Sequence, residues 1–224
     1  IFGHSAKILE LKKVCKLYKI ILIEDAAEAL GTRYRGKHIG NFGLLSALSF
    51  NGNKIVTTGG GGAILTNNKK LFELCKHISS TSKIKHNFEF IFDQMGYNYR
   101  LPSLNAALGC AQLKKINIFI KKKRRLYQLY KKNFQNIEFA HIFSEPKKTK
   151  SNYWLQTIIL NKNSLRFRND LIKFLNRNGV GARPVWKLLH KLKFLKNYQK
   201  MNLTHSLNLE KNIINLPSGP DLIK

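Results

Sequence analysis

Residues 6–19 carry apolar side chains at 8, 11, 14, 15 and 18, the spacing of one helical face. An amphipathic helix is predicted there, with Ser5 as its N-cap. The period is lost at Ile20–Ile23, a continuous apolar run, which predicts a strand buried on both faces of a parallel sheet. This run stops at Glu24-Asp25, and ligands of open α/β sheets gather at such carboxyl ends of strands. Further strands are predicted at 45–50, 63–66 and 153–160, and helices at 69–77, 104–113, on through the basic stretch ending near 132, and at 165–177. Asn178-Gly179 supplies the stop for the last of these. Glycine-dense segments at 34–43 and 59–62 read as turns, and four consecutive glycines imply backbone conformations or close approaches that a side chain would prevent.

The alternation of helix and strand makes this an α/β chain, and a change of composition over 133–153 divides it into units 1–132 and 133–224. With 224 residues, 43% of them apolar, the chain can bury a core. The three cysteines, Cys15, Cys75 and Cys110, lie far apart, which fits a reducing cytoplasm better than a disulfide framework. No metal-ligand spacing occurs among the His residues, so no catalytic metal is expected, and no apolar run is long enough for a bilayer.

The formal charge of +28 changes the picture less than its size suggests. A polyanion partner such as nucleic acid would exploit it. Yet the lysines are scattered over the whole chain, and the densest run, Lys121–Arg125, continues into Leu126-Tyr127. Apolar positions 116, 119, 120, 126, 127, 129 and 130 predict one buried stripe on an otherwise solvated helix. The charge therefore reads as compositional, with no nucleic-acid partner, although an anionic nucleotide-linked substrate would also profit from it.

Ordered motifs carry a sharper message. Glu24-Asp25-Ala26-Ala27-Glu28-Ala29-Leu30-Gly31, then Ser49-Phe50-Asn51-Gly52-Asn53-Lys54 and Thr57–Gly62, resemble the DegT/DnrJ/EryC1/StrS family of pyridoxal-phosphate (PLP) sugar aminotransferases. Gly96–Leu101, Asn105–Gly109, Arg183–Trp186 and Leu216–Ser218 extend the resemblance over essentially all of the chain. The wording from Ser49 to Gly62 is most similar to the LegC-type branch. The resemblance implies the type I aminotransferase fold: here, the C-terminal part of the large sheet domain followed by a small α/β domain. It also implies a fragment, because relatives are longer at the N-terminus.

By that resemblance Lys54 is the catalytic residue, bonding the cofactor aldehyde and then moving a proton. Asp25 is placed against the pyridine nitrogen, with a helix N-cap as its alternative role. Ser49 is placed on the cofactor phosphate, and Glu28 near the ring hydroxyl. Asn98 is placed on the phosphate of a neighbouring subunit, implying a homodimer with shared active sites. Tyr97, Arg100, Trp186 and His190 are placed on the substrate side, with a core role equally open to Tyr97 and Tyr99. Glu24 is read as a structural carboxylate.

The implied reaction passes an amino group from an amino acid, L-glutamate, to C4 of a nucleotide-linked 4-keto-6-deoxy sugar. Within the branch that sugar is UDP-4-keto-6-deoxy-N-acetylhexosamine, in surface-glycan or nonulosonic acid biosynthesis such as that of legionaminic acid. Lys54 argues against the dehydratases of the same fold, which carry His at that position. The alternatives are a truncated, inactive remnant of such an enzyme and a basic nucleic-acid-binding module.

Overall fold

The computed structural model describes residues 1–223. In chain order the elements are α1 (Ile8–Leu17), β1 (Ile23–Asp25), β2 (Arg33–Tyr34), β3 (Lys37–His38), β4 (Leu45–Ser49), β5 (Gly62–Leu65) and α2 (Lys69–Ser79). The hairpin strands β6 (Lys83–Ile84) and β7 (Ile91–Phe92) precede α3 (Ser103–Leu113) and α4 (Ile116–Asn133). Then come β8 (Ala140–Ile142), β9 (Thr149–Lys150), β10 (Gln156–Leu160), α5 (Arg168–Arg177), β11 (Arg183–Pro184), α6 (Thr204–Asn212) and β12 (Ile213–Leu216).

Contacts divide the chain into two compact units. The first comprises Ile1, residues 3–120 and 146–152; the second comprises Phe2, residues 121–145 and 153–224. The division falls inside α4, upstream of the 132/133 boundary expected from composition. Tyr127, on the C-terminal half of that helix, is buried in the second unit's core.

In the first unit β1 pairs in parallel with β4, which pairs antiparallel with β5. One face of this three-stranded sheet is covered by a cluster of Ile8, Ala26, Ala29, Ile39, Phe42 and Leu48. The strand expected to be buried on both faces is not: Ile23 is 62% exposed, and Ile20 and Ile21 lie outside the strand and are exposed too. An apolar run identifies a strand but not how many of its faces find partners, since that depends on neighbours remote in sequence. Ser5 does not cap α1; the N-cap is Lys7, without a side-chain bond.

In the second unit a four-stranded antiparallel sheet, in the order β11-β12-β10-β8, packs on α4 and α5. Ile158, Leu160 and Ile214 form its centre, with Tyr153 stacked on Tyr127 at 4.3 Å between ring centroids. Gly179, at φ +76°, takes the left-handed conformation that stops α5. Most of the predicted stripe on α4 is at least half-buried, but Leu129 is exposed.

Lys123 is the larger departure. Within the basic run expected to be solvated, it is only 4% exposed. Its ammonium donates to the Ser218 carbonyl and, at 3.1 Å, to Ser218 Oγ, while the Lys123 carbonyl accepts from Gln156 Nε2 at 3.0 Å. Burial pushes its pKa down to about 8, partly opposed by Asp221. Because the folded value lies below the unfolded one, this group favours the native state most above the unfolded pKa, and the benefit is lost as pH falls through about 8. At ~1.4 kcal/mol per pH unit, the native chain should gain on the order of 3 kcal/mol relative to Lys123→Met between about pH 8 and 10.5. Urea unfolding of both proteins across that window measures the difference; parallel pH profiles would contradict it.

Candidate active site

The parallel register of β1 and β4 sets Asp25 beside Ala47. Side chains alternate across a strand, so Asp25, Ala47 and Ser49 share one face while Glu24 and Ser46 share the other. Burial follows this parity: Glu24 and Ser46 are buried, whereas Asp25 and Ala47 are exposed. A carboxylate and a hydroxyl thus stand on one sheet face at the carboxyl ends of adjacent parallel strands.

Glu24 is fully engaged on the opposite face. Its Oε2 accepts the Gly40 N–H at 2.8 Å, and its Oε1 accepts those of Phe42 and Gly43 at 2.6 Å each. The buried carboxylate therefore holds the loop that delivers the chain into β4, as expected of a structural group. Asp25 Oδ1 accepts from the Ala27 N–H at 3.1 Å, closing an Asx turn. No helix follows through residue 31, so the N-cap alternative gives way to this turn.

The turn is tied down from outside. Asn152, buried, donates from Nδ2 to the carbonyls of Glu28 at 2.8 Å and Leu30 at 2.9 Å. His38 Nε2 accepts the Gly31 N–H at 2.8 Å. Burial is the main cause that lowers the His38 pKa, with the Arg33 charge adding to it, against a backbone hydrogen bond at Ile39 and the Glu24 charge.

Lys54 sits half-buried in the turn after β4, its N–H donated to the Asn51 carbonyl at 3.0 Å. That turn is framed by Phe50, whose N–H donates to Gly61 and whose carbonyl accepts from Thr58, both at 2.9 Å. It is also framed by α3, where Gln112 Oε1 accepts the Thr57 N–H at 3.0 Å and Asn105 Nδ2 donates to the Thr58 carbonyl at 2.5 Å. Two of the glycines have a steric reason. A side chain on Gly62 would collide with the Leu48 carbonyl across the β4–β5 pair, and one on Gly61, at φ +84°, would press on Leu101 at 2.7 Å.

Ser49, Gly60–Gly62, Asn98, Arg100, Asn105 and Lys76 line a cleft of about 1040 Å³. No carboxylate is among its lining residues, and its donors and cations suit a phosphate. Ser49, Asn98 and Arg100 are thus brought together within one chain, while Asp25, Glu28, Lys54 and Tyr97 are not among the residues lining that cleft. Tyr97 and Tyr99 are exposed and stack on each other at 5.1 Å, so neither is the core aromatic that was its alternative. The strand-like segment they flank is docked on the end of α2 through Tyr97 N–H to Ile78 at 2.7 Å and Tyr99 N–H to Ser79 at 2.9 Å.

Trp186 and His190 belong to the second unit. Trp186 stacks on Trp154 at 6.0 Å and leans on Phe2 at 5.4 Å, yet remains 52% exposed. The turn bearing His190 is fixed by Glu210, which accepts the Leu188 N–H at 3.2 Å and pairs with Lys191. The Lys191 ammonium holds the Glu210 carboxyl below its ordinary range, with help from the Leu188 N–H and the His190 charge, against partial desolvation. Among the described residues there is no group of His, Cys, Asp and Glu able to hold a metal, and no helix long and apolar enough to cross a membrane.

Sequence reasoning missed Asn105, Gln112, His38 and Asn152 as supports of the site. Asn105 and Gln112 did carry a signal: they stand seven residues apart on one face of a helix otherwise rich in small and apolar residues. Nothing comparable marks His38 or Asn152.

The fold is that of the type I PLP-dependent sugar aminotransferases. The structure superposes on Helicobacter pylori PseC, an aminotransferase involved in the biosynthesis of pseudoaminic acid, with a TM-score of 0.93 at 27% identity, covering 98% of this chain and 60% of that one. The chain belongs to the DegT/DnrJ/EryC1/StrS aminotransferase family, whose model matches residues 1–224. It is 35% identical over 223 residues to GDP-perosamine synthase of Escherichia coli O157:H7, covering 99% of this chain and 59% of that protein. It is 31% identical over 222 residues to the UDP-4-amino-4,6-dideoxy-N-acetyl-beta-L-altrosamine transaminase of Campylobacter jejuni, covering 98% and 59%. The chain thus spans about three-fifths of the length of these relatives.

Glu24→Gln would turn an amide NH₂ towards a backbone N–H in this buried site. A loss of about 2 kcal/mol is expected, read as a lower urea midpoint with an unchanged slope. A midpoint equal to that of the native chain would show that the carboxylate is not what holds the loop.

Proposed function

We propose that the gene product carrying this chain is a PLP-dependent aminotransferase that moves an amino group from L-glutamate to C4 of a nucleotide-linked 4-keto-6-deoxy sugar. One observation carries the reading: Asp25 and Ser49 share a sheet face at the ends of adjacent parallel strands, next to the Lys54 turn and a cleft of phosphate-binding donors without carboxylates.

The residues fit the cofactor. Ser49, Asn98 and Arg100 supply donors for its phosphate, the glycines admit backbone beside them, and Asp25 supplies a carboxylate for its ring nitrogen. Bound there, the cofactor supplies an electron-withdrawing ring that stabilises negative charge on a carbon losing its proton. The Asp25 carboxylate would favour a protonated ring nitrogen, because a nearby anion stabilises the charged form. The Lys54 amine would hold the cofactor and would move the proton, taking it from the donor α-carbon in one half-reaction and giving one to the sugar carbon in the other. Trp186 and His190 are assigned to the nucleotide-sugar side.

The finer reading is UDP-4-keto-6-deoxy-N-acetylhexosamine as acceptor, in surface-glycan or nonulosonic acid biosynthesis, with support from the Campylobacter jejuni transaminase. A GDP-linked acceptor is the second reading, favoured by the 35% identity to GDP-perosamine synthase. Exposed Phe88, Phe90, Met95 and Tyr99, near Asn98 in sequence, support a homodimer, although Asn98, expected on a neighbour's phosphate, lines the same cleft as Ser49 of its own chain.

Borohydride reduction of the PLP-loaded gene product should fix the label on Lys54, and Lys54→Ala should lose it together with at least about 10³-fold in turnover. Label on another lysine, or no bound cofactor, overturns the reading. A panel of UDP- and GDP-linked 4-keto sugars then assigns the nucleotide.

A further inference from the structure

The segment between β1 and β2 carries Asp25 and Glu28 but has no strand or helix to hold it. Its fixed points are few. The Ala26 N–H donates to the Ala47 carbonyl at 2.9 Å, and the Ala29 and Thr32 N–H groups close local turns at 2.9 and 2.8 Å. Further restraints come from two side chains, one far along the chain and one across a hairpin. Both Nδ2 protons of Asn152 are spent on the Glu28 and Leu30 carbonyls, 124 and 122 residues away. The Asn152 N–H donates to Thr32 Oγ1 at 3.1 Å, and that hydroxyl donates to the Gly3 carbonyl at 2.7 Å. Asn152 is 0% exposed, so its restraint is not traded for water. His38 holds the next peptide group, accepting the Gly31 N–H.

We propose that Asn152 and His38 are positioning residues that fix the Asp25–Glu28 turn in the geometry that binds the cofactor ring. The proposal rests on the functional reading above. Both residues grip the main chain three to six residues beyond Asp25, Asn152 through the Glu28 and Leu30 carbonyls and His38 through the Gly31 amide, so the segment cannot slide without breaking one of them. The grip of His38 has a chemical condition: Nε2 accepts only while it carries no proton. The charged groups facing the ring are Arg33, its cross-strand partner, and Glu24 of β1, with Lys150 beyond Arg33 on β9. Protonation would remove an acceptor and add a cation beside Arg33, loosening the turn in acid. Because the folded pKa is lowered, the stabilising contribution is present above the ordinary imidazole value and lost as pH falls through the folded one.

The test compares His38→Leu, His38→Gln, Asn152→Ala and Asn152→Asp with the native gene product, using PLP affinity from absorbance titration and hydrogen exchange of the 24–32 peptide without cofactor. His38→Leu and both Asn152 variants should weaken PLP by about 10- to 100-fold, the range of groups that orient a ligand-bearing side chain. They should also expose the 24–32 amides. His38→Gln, which keeps an acceptor where Nε2 stood, should restore most of the affinity. It should also abolish the excess loss that the native protein shows as pH falls below the ordinary imidazole value. Should Asn152→Ala not fold, Asn152→Asp and the native pH series still decide the matter. Affinity unchanged in all four variants, or His38→Gln as weak as His38→Leu, overturns the inference. Asp25→Ala separates the two levels. If it leaves PLP affinity intact the functional reading fails, whereas if it weakens PLP and the four variants do not, only the positioning roles fail.

Discussion

The site depends on the parallel pairing of β1 with β4, and that pairing depends on one buried carboxylate. Glu24 gathers the amides of Gly40, Phe42 and Gly43, three backbone donors that belong to no ladder. A buried charge is tolerable only when donors compensate it, and amides are tolerable in a core only when something accepts them. Each side thus solves the other's problem. The result brings the loop back so that β4 enters beside β1 with Asp25 level with Ala47. On the opposite face the same register leaves Asp25 beside Ala47, with Ser49 two residues further along β4 on that face.

Around that pair the loops are held by side chains rather than by sheet. Asn105 and Gln112 secure the Thr57-Thr58 stretch beyond Lys54, and Asn152 and His38 secure the turn beyond Asp25. Loops carry chemistry because they are free of ladder constraints, and they become precise only when their peptide groups find partners elsewhere. Each support uses a neutral polar group, which orients the backbone without adding charge beside the reacting atoms.

The second unit shows the same economy in a different setting. Its aromatic and aliphatic core fixes the sheet, while Lys123 reaches through that core to the turn after β12. Trp186, backed by Trp154 and Phe2, keeps about half its surface open although apolar neighbours are at hand. A half-exposed aromatic with a firm aromatic backing offers a surface on which a ring can stack.

Much of this was legible in the residues. A helical period located α1 and the stripe of α4, Asn178-Gly179 marked the end of α5, and the carboxylates at the end of an apolar run marked the sheet edge that carries the candidate site. The ordered motifs around Asp25, Ser49 and Lys54 carried the family resemblance, and the family match extends over residues 1–224. What the residues did not disclose is which partner each segment meets. A run of isoleucines reads alike whether one face or two are covered, and Lys123 reads like its neighbours Lys121 and Lys122. The burial of Lys123 was settled by Ser218, 95 positions away, and the grip on the Asp25 turn by Asn152, 124 positions from Glu28. The sequence by itself determined the order and type of the elements and the chemical groups at their ends. Only the tertiary structure decided which polar groups are buried against one another, since desolvation and hydrogen bonding depend on distances that neighbours along the chain do not set.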